Sequence, residues 1–302
     1  MPRILVVDDE PAIQSTLRDI LVSTGHEVFV AEDGLAGLER VQAEAFDLVI
    51  SDISMPRMNG IEFLSRLGQI APQTHRILLT AHTLEEYIDQ LVQHDLSCVL
   101  TKSIPFPVGE VVGTVDALIS RKIFGLDRLV PNIRSRESFQ IRTHEQLLLA
   151  CDRLAEFAPE KRRNHLNTVL NEILTNAVYY GALDLPGDHK ETWSHDFVIP
   201  EEKAVWVDLV VGDDRRGISV SDAGGKLKRK TVLHWLHRQM AHDENGLPLG
   251  IFDNHGRGFF ISRSFSDRLS ISIERGKRCE VSLLLYEQAP PAGEKPLVIL
   301  EI

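Results

Sequence analysis

The segment that decides the fold of the first half, residues 1–122, is residues 4–10, Ile-Leu-Val-Val-Asp-Asp-Glu, a short apolar run that ends in acidic residues. Four more apolar runs follow in this half, at 26–30, 48–51, 76–80 and 98–101. Runs this continuous are typical of parallel strands that helices cover on both faces. The stretches between the runs space their apolar residues three and four apart, which indicates amphipathic helices. Five such β-α repeats predict a five-stranded, doubly wound parallel sheet of the α/β class.

Polar side chains stand where these predicted strands end. They are Asp8 and Asp9 after the first strand, Asp52 after the third, Thr80 after the fourth and Lys102 after the fifth. In a doubly wound sheet the ligand site lies beyond the carboxyl ends of the strands, so we expect these side chains to meet. Carboxylates crowded there repel one another unless a cation neutralises them, and oxygen ligands suit Mg²⁺. One carboxylate so placed can attack a phosphoryl group, while Lys102 and Thr80 stabilise the transferred oxygens.

These features resemble the receiver domains of two-component response regulators across the whole of the first half. The matching segments are 6–10, 52–60, 79–81 and 100–102. The resemblance implies a flavodoxin-like fold in which an upstream sensor histidine kinase phosphorylates Asp52, while Asp8, Asp9 and Asp52 hold Mg²⁺. Two positions depart from the family pattern, because Val99 replaces an aromatic residue and Ser103 replaces a proline. We expect phosphoryl chemistry to survive both changes, although the usual aromatic switch is missing.

Composition and charge restrict the classes of protein and partner. The chain has 302 residues, 43% hydrophobic and 25% charged, with a net charge of −11, which indicates a globular protein of two domains. Residues 1–122 hold 9 Lys and Arg against 18 Asp and Glu, which argues against nucleic acid as a partner. No apolar run reaches the length of a transmembrane helix and the first residues do not resemble a signal peptide, so we expect a cytoplasmic protein without membrane contact. Three widely spaced cysteines indicate reduced thiols.

The second half of the chain shows a different pattern of predicted secondary structure. Residues 123–133 have mixed polarity with a glycine and a proline, and are interpreted as a linker. Residues 134–290 alternate strand-like and helix-like stretches, which predicts an α+β domain with one long helix over about 161–180. Residues 291–302 are assigned as a C-terminal tail. Packing is the simplest role for the three tryptophans of the chain, Trp193, Trp206 and Trp235.

Three motifs in the second half carry candidate chemistry. In the first, Glu172 and Asn176 share one helix face and offer oxygen ligands suited to Mg²⁺, although an exposed polar face is the plainer interpretation. In the second, a strand runs into Asp222, which is either the acceptor for an exocyclic amine or part of a simple turn. In the third, glycines open a helix whose N-terminal amides suit phosphates. The glycines and the neighbouring arginine of the last two motifs are Gly224, Gly225, Gly256, Arg257 and Gly258.

In this order and spacing the motifs resemble the ATP-binding domain shared by histidine kinases, gyrase-type ATPases and anti-sigma-factor serine/threonine kinases, most of all the last. The resemblance implies a Bergerat α+β sandwich that binds ATP and Mg²⁺. It also implies that Glu172 is the general base, that Asn176 is a Mg²⁺ ligand and that Asp222 reads the adenine amine. The second motif departs from the family pattern Asp-x-Gly-x-Gly, since Lys226 stands at the last glycine position.

Together the two halves predict a response regulator whose phosphorylation on Asp52 controls an anti-sigma-type protein serine/threonine kinase. The expected partners are a sensor histidine kinase upstream and an anti-anti-sigma (STAS-type) protein or a sigma factor downstream, and the resemblance implies a homodimer. One alternative is a switch that needs nucleotide but no catalysis and sequesters its partner, which the irregular Asp222 motif favours. Another is an atypical histidine kinase phosphorylated on His144, for which a capping or surface role is the plainer interpretation.

Overall fold

The computed structural model of the chain describes residues 1–103, 105–185, 196–242, 249–250, 257–288 and 295–302. The chain divides into two compact units. The first contains Met1–Ile123 with residues 295–298, and the second contains the described residues between Phe124 and Pro290 together with 299–302. Among the described residues, no helix is both long enough and apolar enough to cross a membrane.

The first unit is a parallel sheet with connecting helices. Its strands are β1 (Arg3–Val7), β2 (Glu27–Ala31), β3 (Leu48–Asp52), β4 (His75–Thr80) and β5 (Cys98–Thr101). Its helices are α1 (Pro11–Ser23), α2 (Gly34–Ala43), α3 (Gly60–Ile70), α4 (Ile88–Gln93) and α5 (Val108–Ser120). The strands pair in the order β2-β1-β3-β4-β5, and every pairing among them is parallel. The doubly wound α/β sheet predicted from the sequence is confirmed.

Local sequence explains why these elements begin where they do. Pro11 opens α1, where its missing amide hydrogen costs nothing. Asp33 and Asn59 precede α2 and α3, and their side chains accept hydrogen bonds from the otherwise unpaired amides of the first turn. Gly60 starts α3 so close to β3 that a Cβ there would lie 1.8 Å from the carbonyl oxygen of Asp52. Only glycine therefore fits beside the residue that ends β3.

Among its described residues, the second unit combines an antiparallel sheet with four α-helices. Its strands are β6 (Ser135–Ile141), β7 (Val205–Val211), β8 (Arg215–Asp222), β9 (Arg268–Glu274) and β10 (Arg278–Tyr286). Its helices are α6 (His144–Phe157), α7 (Arg163–Thr175), α8 (Arg229–Met240) and α9 (Arg257–Phe265). The strands pair in the order β9-β10-β8-β7-β6, with every pairing antiparallel. The strands and helices expected for the second half are thus present in the predicted order.

The long helix predicted over about 161–180 is interrupted. The α-helix ends at Thr175, and residues Asn176–Ala182 continue as a wider π-helical turn. The wider turn carries Gly181 against β8, where a Cβ on this glycine would lie 2.4 Å from Cγ of Asp222. Wider turns of this kind are often found at functional sites. A simple periodicity of 3.6 residues does not reveal such a change of pitch.

The segment interpreted as a linker belongs to the core of the second unit. Leu126, Leu129 and Val130 are buried in one cluster with Val210 of β7 and Leu284 of β10. A short 3₁₀ turn, Leu126–Arg128, shapes this segment. The interpretation of this segment as a linker was therefore wrong, because three of its apolar side chains pack against the sheet of the second unit. These three residues have the spacing of a helix face, but the segment is too short for that pattern to predict an element from the sequence.

The C-terminal tail also contains structure that the sequence analysis missed. A further strand, β11 (Leu297–Glu301), follows the last predicted element. In the first unit, Leu297 and Val298 pair antiparallel with Val99 and Cys98 of β5. In the second unit, the amide of Ile302 donates a hydrogen bond of 3.0 Å to the carbonyl oxygen of Ile273 in β9. The assignment of the whole segment as a tail was therefore wrong.

Candidate functional site

The carboxyl end of the first sheet gathers two buried carboxylates around one lysine. Nζ of Lys102 lies 2.9 Å from Oδ2 of Asp8 and 2.9 Å from Oδ1 of Asp52. Asp8 and Asp52 are 1% and 6% exposed. Removing carboxylates from water is costly unless a cation lies beside them, so the ammonium group offsets the cost of burying these two side chains. The structure brings together Asp8, Asp52 and Lys102 as their positions at the strand ends predicted.

Other residues surround this lysine. Thr80 is buried at the end of β4, where its Oγ1 accepts a hydrogen bond of 3.0 Å from the amide of His82. Asp9 is exposed beyond the end of β1. Glu10, which the sequence analysis left out of the site, places Oε1 3.2 Å from Nζ of Lys102. The position of Glu10 in the acidic run after β1 is the feature of the sequence that could have indicated this contact.

Burial and ion pairing set the charges of this site. Burial would lower the pKa of Lys102, but hydrogen bonds to Asp52 and Asp8 hold that pKa above its ordinary value, so the lysine stays charged. Burial raises the pKa of Asp8, although the hydrogen bond from Lys102 opposes the rise. The backbone amide of Ser54 donates a hydrogen bond of 2.9 Å to Oδ2 of Asp52. Within the described ranges, no group of three or more His, Cys, Asp or Glu side chains is arranged to hold a metal ion.

The second unit contains a cavity of about 370 Å³ whose wall includes residues of all three sequence motifs. Glu172 and Asn176 come from α7 and the turn that follows it, Asp222 from the end of β8 and Gly258 from the start of α9. Nδ2 of Asn176 lies 3.3 Å from Oε1 of Glu172, so the two predicted ligands share one side of the cavity. Three segments that are distant in the chain therefore line one cavity.

Asp222 is the buried charge of this cavity. Burial raises the pKa of its carboxyl to about 6, although backbone amides of Gly224 and Gly225 donate to it. The bond from the Gly224 amide to Oδ1 is 2.9 Å long. Near neutral pH the carboxylate is therefore mostly ionised, with an apolar wall around it. A buried acceptor of this kind suits a ligand that donates a hydrogen bond, such as an exocyclic amine.

Glycines allow the motifs to approach one another. A Cβ on Gly224 would lie 2.2 Å from the carbonyl oxygen of Gly181, and a Cβ on Gly258 would lie 2.5 Å from Cγ of Glu172. Gly225 has a φ of +55°, in the left-handed region, and a Cβ there would lie 2.2 Å from the amide nitrogen of Lys277. Each of these positions thus requires glycine because of a neighbouring atom. Gly256 lies outside the described residues, and Arg257 is the first residue of α9.

Among the described residues, the cavity wall contains three aromatic side chains, Tyr180, Trp235 and Phe259, and the sequence did not indicate this place for Trp235. Trp235 of α8, interpreted above as a packing residue, lines the cavity together with Tyr180. No spacing rule connects α8 to the three motifs, so only the tertiary structure could place this tryptophan. His144 stands at the start of α6, where its ring packs edge-on against Phe197 at 6.1 Å between centroids. Thr143 caps this helix and the ring of His144 is half-buried, so the structure supports neither a capping nor a surface role for His144.

Comparison with known proteins identifies the first unit. The response regulator receiver domain family matches residues 4–110. The chemotaxis protein CheY of Bacillus subtilis is 32% identical over 119 residues, which are 39% of this chain and 98% of CheY. The response regulator receiver protein Anae109_2439 of Anaeromyxobacter is 33% identical over 107 residues, which are 35% of this chain and 45% of that protein. The chain spans about half or less of the length of several such relatives.

Two solved structures of response regulator proteins are also similar to part of the chain. The response regulator TrrA of Thermotoga maritima, determined in complex with Mg²⁺-BeF, is 36% identical, with a TM-score of 0.36 over 39% of this chain and 99% of TrrA. A response regulator receiver domain protein from Clostridium thermocellum is 27% identical, with a TM-score of 0.37 over 40% of this chain and 97% of that chain. From its match at residues 4–110 and its coverage of nearly all of CheY, the chain belongs to the response regulator receiver family.

Proposed function

We propose that this phosphorelay response regulator accepts a phosphoryl group on Asp52 from an upstream sensor histidine kinase. Oδ of Asp52 attacks phosphorus, the P–N bond of the donor phosphohistidine breaks, and the kinase imidazole leaves. Lys102 is already held within hydrogen-bond distance of Asp52, so its charge is available to the transferred oxygens without rearrangement. Thr80 offers its hydroxyl at the end of the neighbouring strand, β4. The observation that supports this proposal is the pairing of one buried lysine with two buried carboxylates.

The carboxylates of this site also suit a divalent cation. Asp8 and Asp52 are buried oxygen donors that already share one cation, the ammonium group of Lys102. We propose that Asp8, Asp9 and Asp52 hold Mg²⁺, which when bound neutralises negative charge on the phosphoryl oxygens. Asp9 is exposed and therefore has the freedom to turn toward such an ion. Lys102 would then be shared between the ion site and the phosphoryl group.

For the second unit we propose an ATP-binding domain of the Bergerat type. The supporting observation is the convergence of the three motifs on one cavity of about 370 Å³. Asp222 would accept from the adenine amine, and Asn176 would hold Mg²⁺ beside Glu172. The phosphates would lie at the start of α9, where Gly258 lines the cavity. The apolar remainder of the wall suits a planar base.

The catalytic form of this proposal is a protein serine/threonine kinase. A hydroxyl oxygen of the partner attacks the γ-phosphorus, Glu172 accepts the hydroxyl proton, and ADP is the leaving group. The partner is proposed to be an anti-anti-sigma protein of the STAS type or a sigma factor, acted on by a homodimer of this chain. Phosphorylation of Asp52 would control that output.

A binding switch without catalysis is the second candidate. Gly225 lies where a Cβ would collide with Lys277, and Lys226 stands at the last glycine position of the family pattern. This departure of the second motif from the family pattern favours nucleotide binding without turnover. The two candidates share the nucleotide site and differ only in the need for Glu172.

The test uses the full chain. We expect saturable, Mg²⁺-dependent ATP binding by calorimetry, lost in Asn176→Ala and retained in Glu172→Ala. Absence of binding to the folded wild-type chain would refute the nucleotide site. Transfer of ³²P from γ-labelled ATP to a candidate STAS protein, abolished by Glu172→Ala, supports the kinase. If Glu172→Ala retains all partner regulation, the binding switch is the correct alternative.

For the first unit, ³²P-acetyl phosphate should label the wild-type chain and leave Asp52→Asn unlabelled. Equal labelling of both chains would refute Asp52 as the acceptor.

A further inference from the structure

One charged residue on the cavity wall of the second unit is given no ligand contact in the proposed function. Lys226 lines the cavity, and among the described residues it is the only wall residue whose side chain carries a positive charge. The acidic residues of the wall are Glu172 and Asp222. The side chain of Lys226 is 49% exposed, so it stands at the rim of the cavity. A ligand in the cavity therefore has one ammonium group beside it.

Lys226 belongs to the end of the cavity where Asp222 lies. The chain turns back after β8, so that the backbone amides of Gly224 and Gly225 donate hydrogen bonds to the Asp222 carboxylate. Lys226 follows Gly225 directly. The carbonyl oxygen of Gly225 accepts a hydrogen bond of 3.0 Å from the amide of Gly276, which fixes this turn against the loop between β9 and β10. The backbone of Lys226 is thus held next to the buried acceptor.

The ammonium group of Lys226 forms an ion pair with the carboxylate of Asp184, which follows the wider turn Asn176–Ala182. The amides of Leu183 and Leu185, on either side of Asp184, donate hydrogen bonds of 2.9 Å to carbonyl oxygens of that turn. Asp184 is therefore fixed in place, whereas the side chain of Lys226 is long and flexible. The Asp184 side chain is 61% exposed, and ion pairs this exposed stabilise a protein little. Lys226 can therefore exchange Asp184 for an acceptor on a ligand at little cost.

Asp222 and Lys226 present opposite hydrogen-bonding groups to such a ligand. An ionised carboxylate only accepts hydrogen bonds, and an ammonium group only donates them. A base that carries an amine beside an unprotonated ring nitrogen matches both groups at once. Adenine has this arrangement in the amine on C6 and the neighbouring N1. This end of the cavity thus complements one edge of adenine.

We propose that Lys226 selects the base by donating a hydrogen bond to N1 of adenine while Asp222 accepts one from the amine. On binding, the ammonium group leaves Asp184 and turns into the cavity. Lys226 is then a specificity-determining residue at a position where the family pattern has glycine. A glycine offers no side chain to the base, so the contact is a feature of this chain and not of the pattern. The inference rests on the proposed nucleotide site.

The experiment is a double-mutant cycle between protein and ligand, measured by isothermal titration calorimetry on the full chain in Mg²⁺. The proteins are the wild type and Lys226→Met, which keeps the length of the side chain without its charge. The ligands are ATP and 1-deaza-ATP, in which a C–H group replaces N1. We expect the wild type to bind ATP about tenfold more tightly than 1-deaza-ATP, because the charged hydrogen bond is lost with N1. Lys226→Met should bind the two ligands with similar affinity.

Three further measurements separate this contact from other effects. Lys228→Met removes a charge from an exposed residue that does not line the cavity, and should keep the preference for ATP over 1-deaza-ATP. 7-deaza-ATP lacks the ring nitrogen on the other side of the amine, and its affinity relative to ATP should be the same in the wild type and Lys226→Met. Asp184→Asn should strengthen ATP binding about two- to threefold, since the ammonium group then has no carboxylate to leave.

The outcomes distinguish this inference from the function on which it rests. If Lys226→Met weakens ATP and 1-deaza-ATP equally or leaves both unchanged, or if the coupling appears with 7-deaza-ATP instead, the contact with N1 is refuted while the nucleotide site stands. Weaker ATP binding in Asp184→Asn would show that the ion pair itself maintains the site, and would refute the exchange of partners. A folded wild-type chain that binds no ATP would overturn the nucleotide site and this inference with it.

Discussion

Gly258 and Glu172 lie in direct contact although they are distant in the chain, since a Cβ on Gly258 would lie 2.5 Å from Cγ of Glu172. The contact places the start of α9 against the face of α7 that carries Glu172. It explains how the first and third motifs come to line one cavity. A ligand in that cavity can therefore meet the carboxylate of one motif and the helix N-terminus of the other.

The first prediction concerns this contact. Gly258→Ala should weaken ATP binding about tenfold or more, because the added methyl group must displace Glu172 or the start of α9. Isothermal titration calorimetry of the full chain checks the result. Gly109→Ala in α5 is the control, since a Cβ there meets no atom within 4 Å. Unchanged affinity in Gly258→Ala would show that the contact has no bearing on the nucleotide.

The second prediction concerns Lys102. Lys102→Ala should slow phosphorylation of Asp52 by about 100-fold, because the charge that stabilises the transferred oxygens is removed. The rate of ³²P incorporation from acetyl phosphate measures the effect. Lys122→Ala, at an exposed position after α5, should retain the wild-type rate. Equal rates in all three proteins would contradict a role for Lys102 in the transfer.

The third prediction concerns the charge of Asp222. Burial raises the pKa of this carboxyl to about 6, so it becomes protonated as the pH falls through that value. ATP affinity should therefore decrease between pH 7 and pH 5, because the protonated carboxyl is a weaker acceptor for the adenine amine. Affinity measured over this range in Asp222→Asn corrects for titration of the phosphates. A wild-type profile that runs parallel to that of Asp222→Asn would contradict the prediction.

The fourth prediction concerns Trp235. Because its ring lines the cavity, ATP should change the intrinsic tryptophan fluorescence, and Trp235→Phe should remove most of that change. Trp235→Ala should in addition weaken binding by about 1 kcal/mol through loss of an aromatic contact with the base. Trp206→Phe, at a residue that is 49% exposed on β7, should keep the signal. A signal that persists in Trp235→Phe would place the base elsewhere.

The fifth prediction concerns the segment at the start of the second unit. Leu126 is 1% exposed, so Leu126→Ala should lower the free energy of unfolding by about 2–5 kcal/mol. Leu148→Ala is the matched control, because Leu148 is 54% exposed on α6 and its truncation should cost little. Chemical denaturation of the full chain measures both. A loss no larger than that of Leu148→Ala would mean that this segment contributes little to the core.

The sequence by itself determined the fold and the site of the first unit. Its strands read as continuous apolar runs, and a parallel sheet places the ends of such strands at one edge. The strand pattern alone therefore predicts that Asp8, Asp52, Thr80 and Lys102 stand at one edge of the sheet. The three motifs of the second unit could also be recognised in the sequence. In the first of them, the spacing alone places Glu172 and Asn176 on one helix face.

Only the tertiary structure decided the remaining features, because they depend on residues that are far apart in the chain. The burial of Leu126 against the second sheet, the pairing of Leu297 with Val99 and the place of Trp235 on the cavity wall follow from no local period. The contact between Ser54 and His82 likewise joins two loops at the ends of neighbouring strands. Local patterns determine which elements form, whereas packing between distant elements determines which side chains share a site.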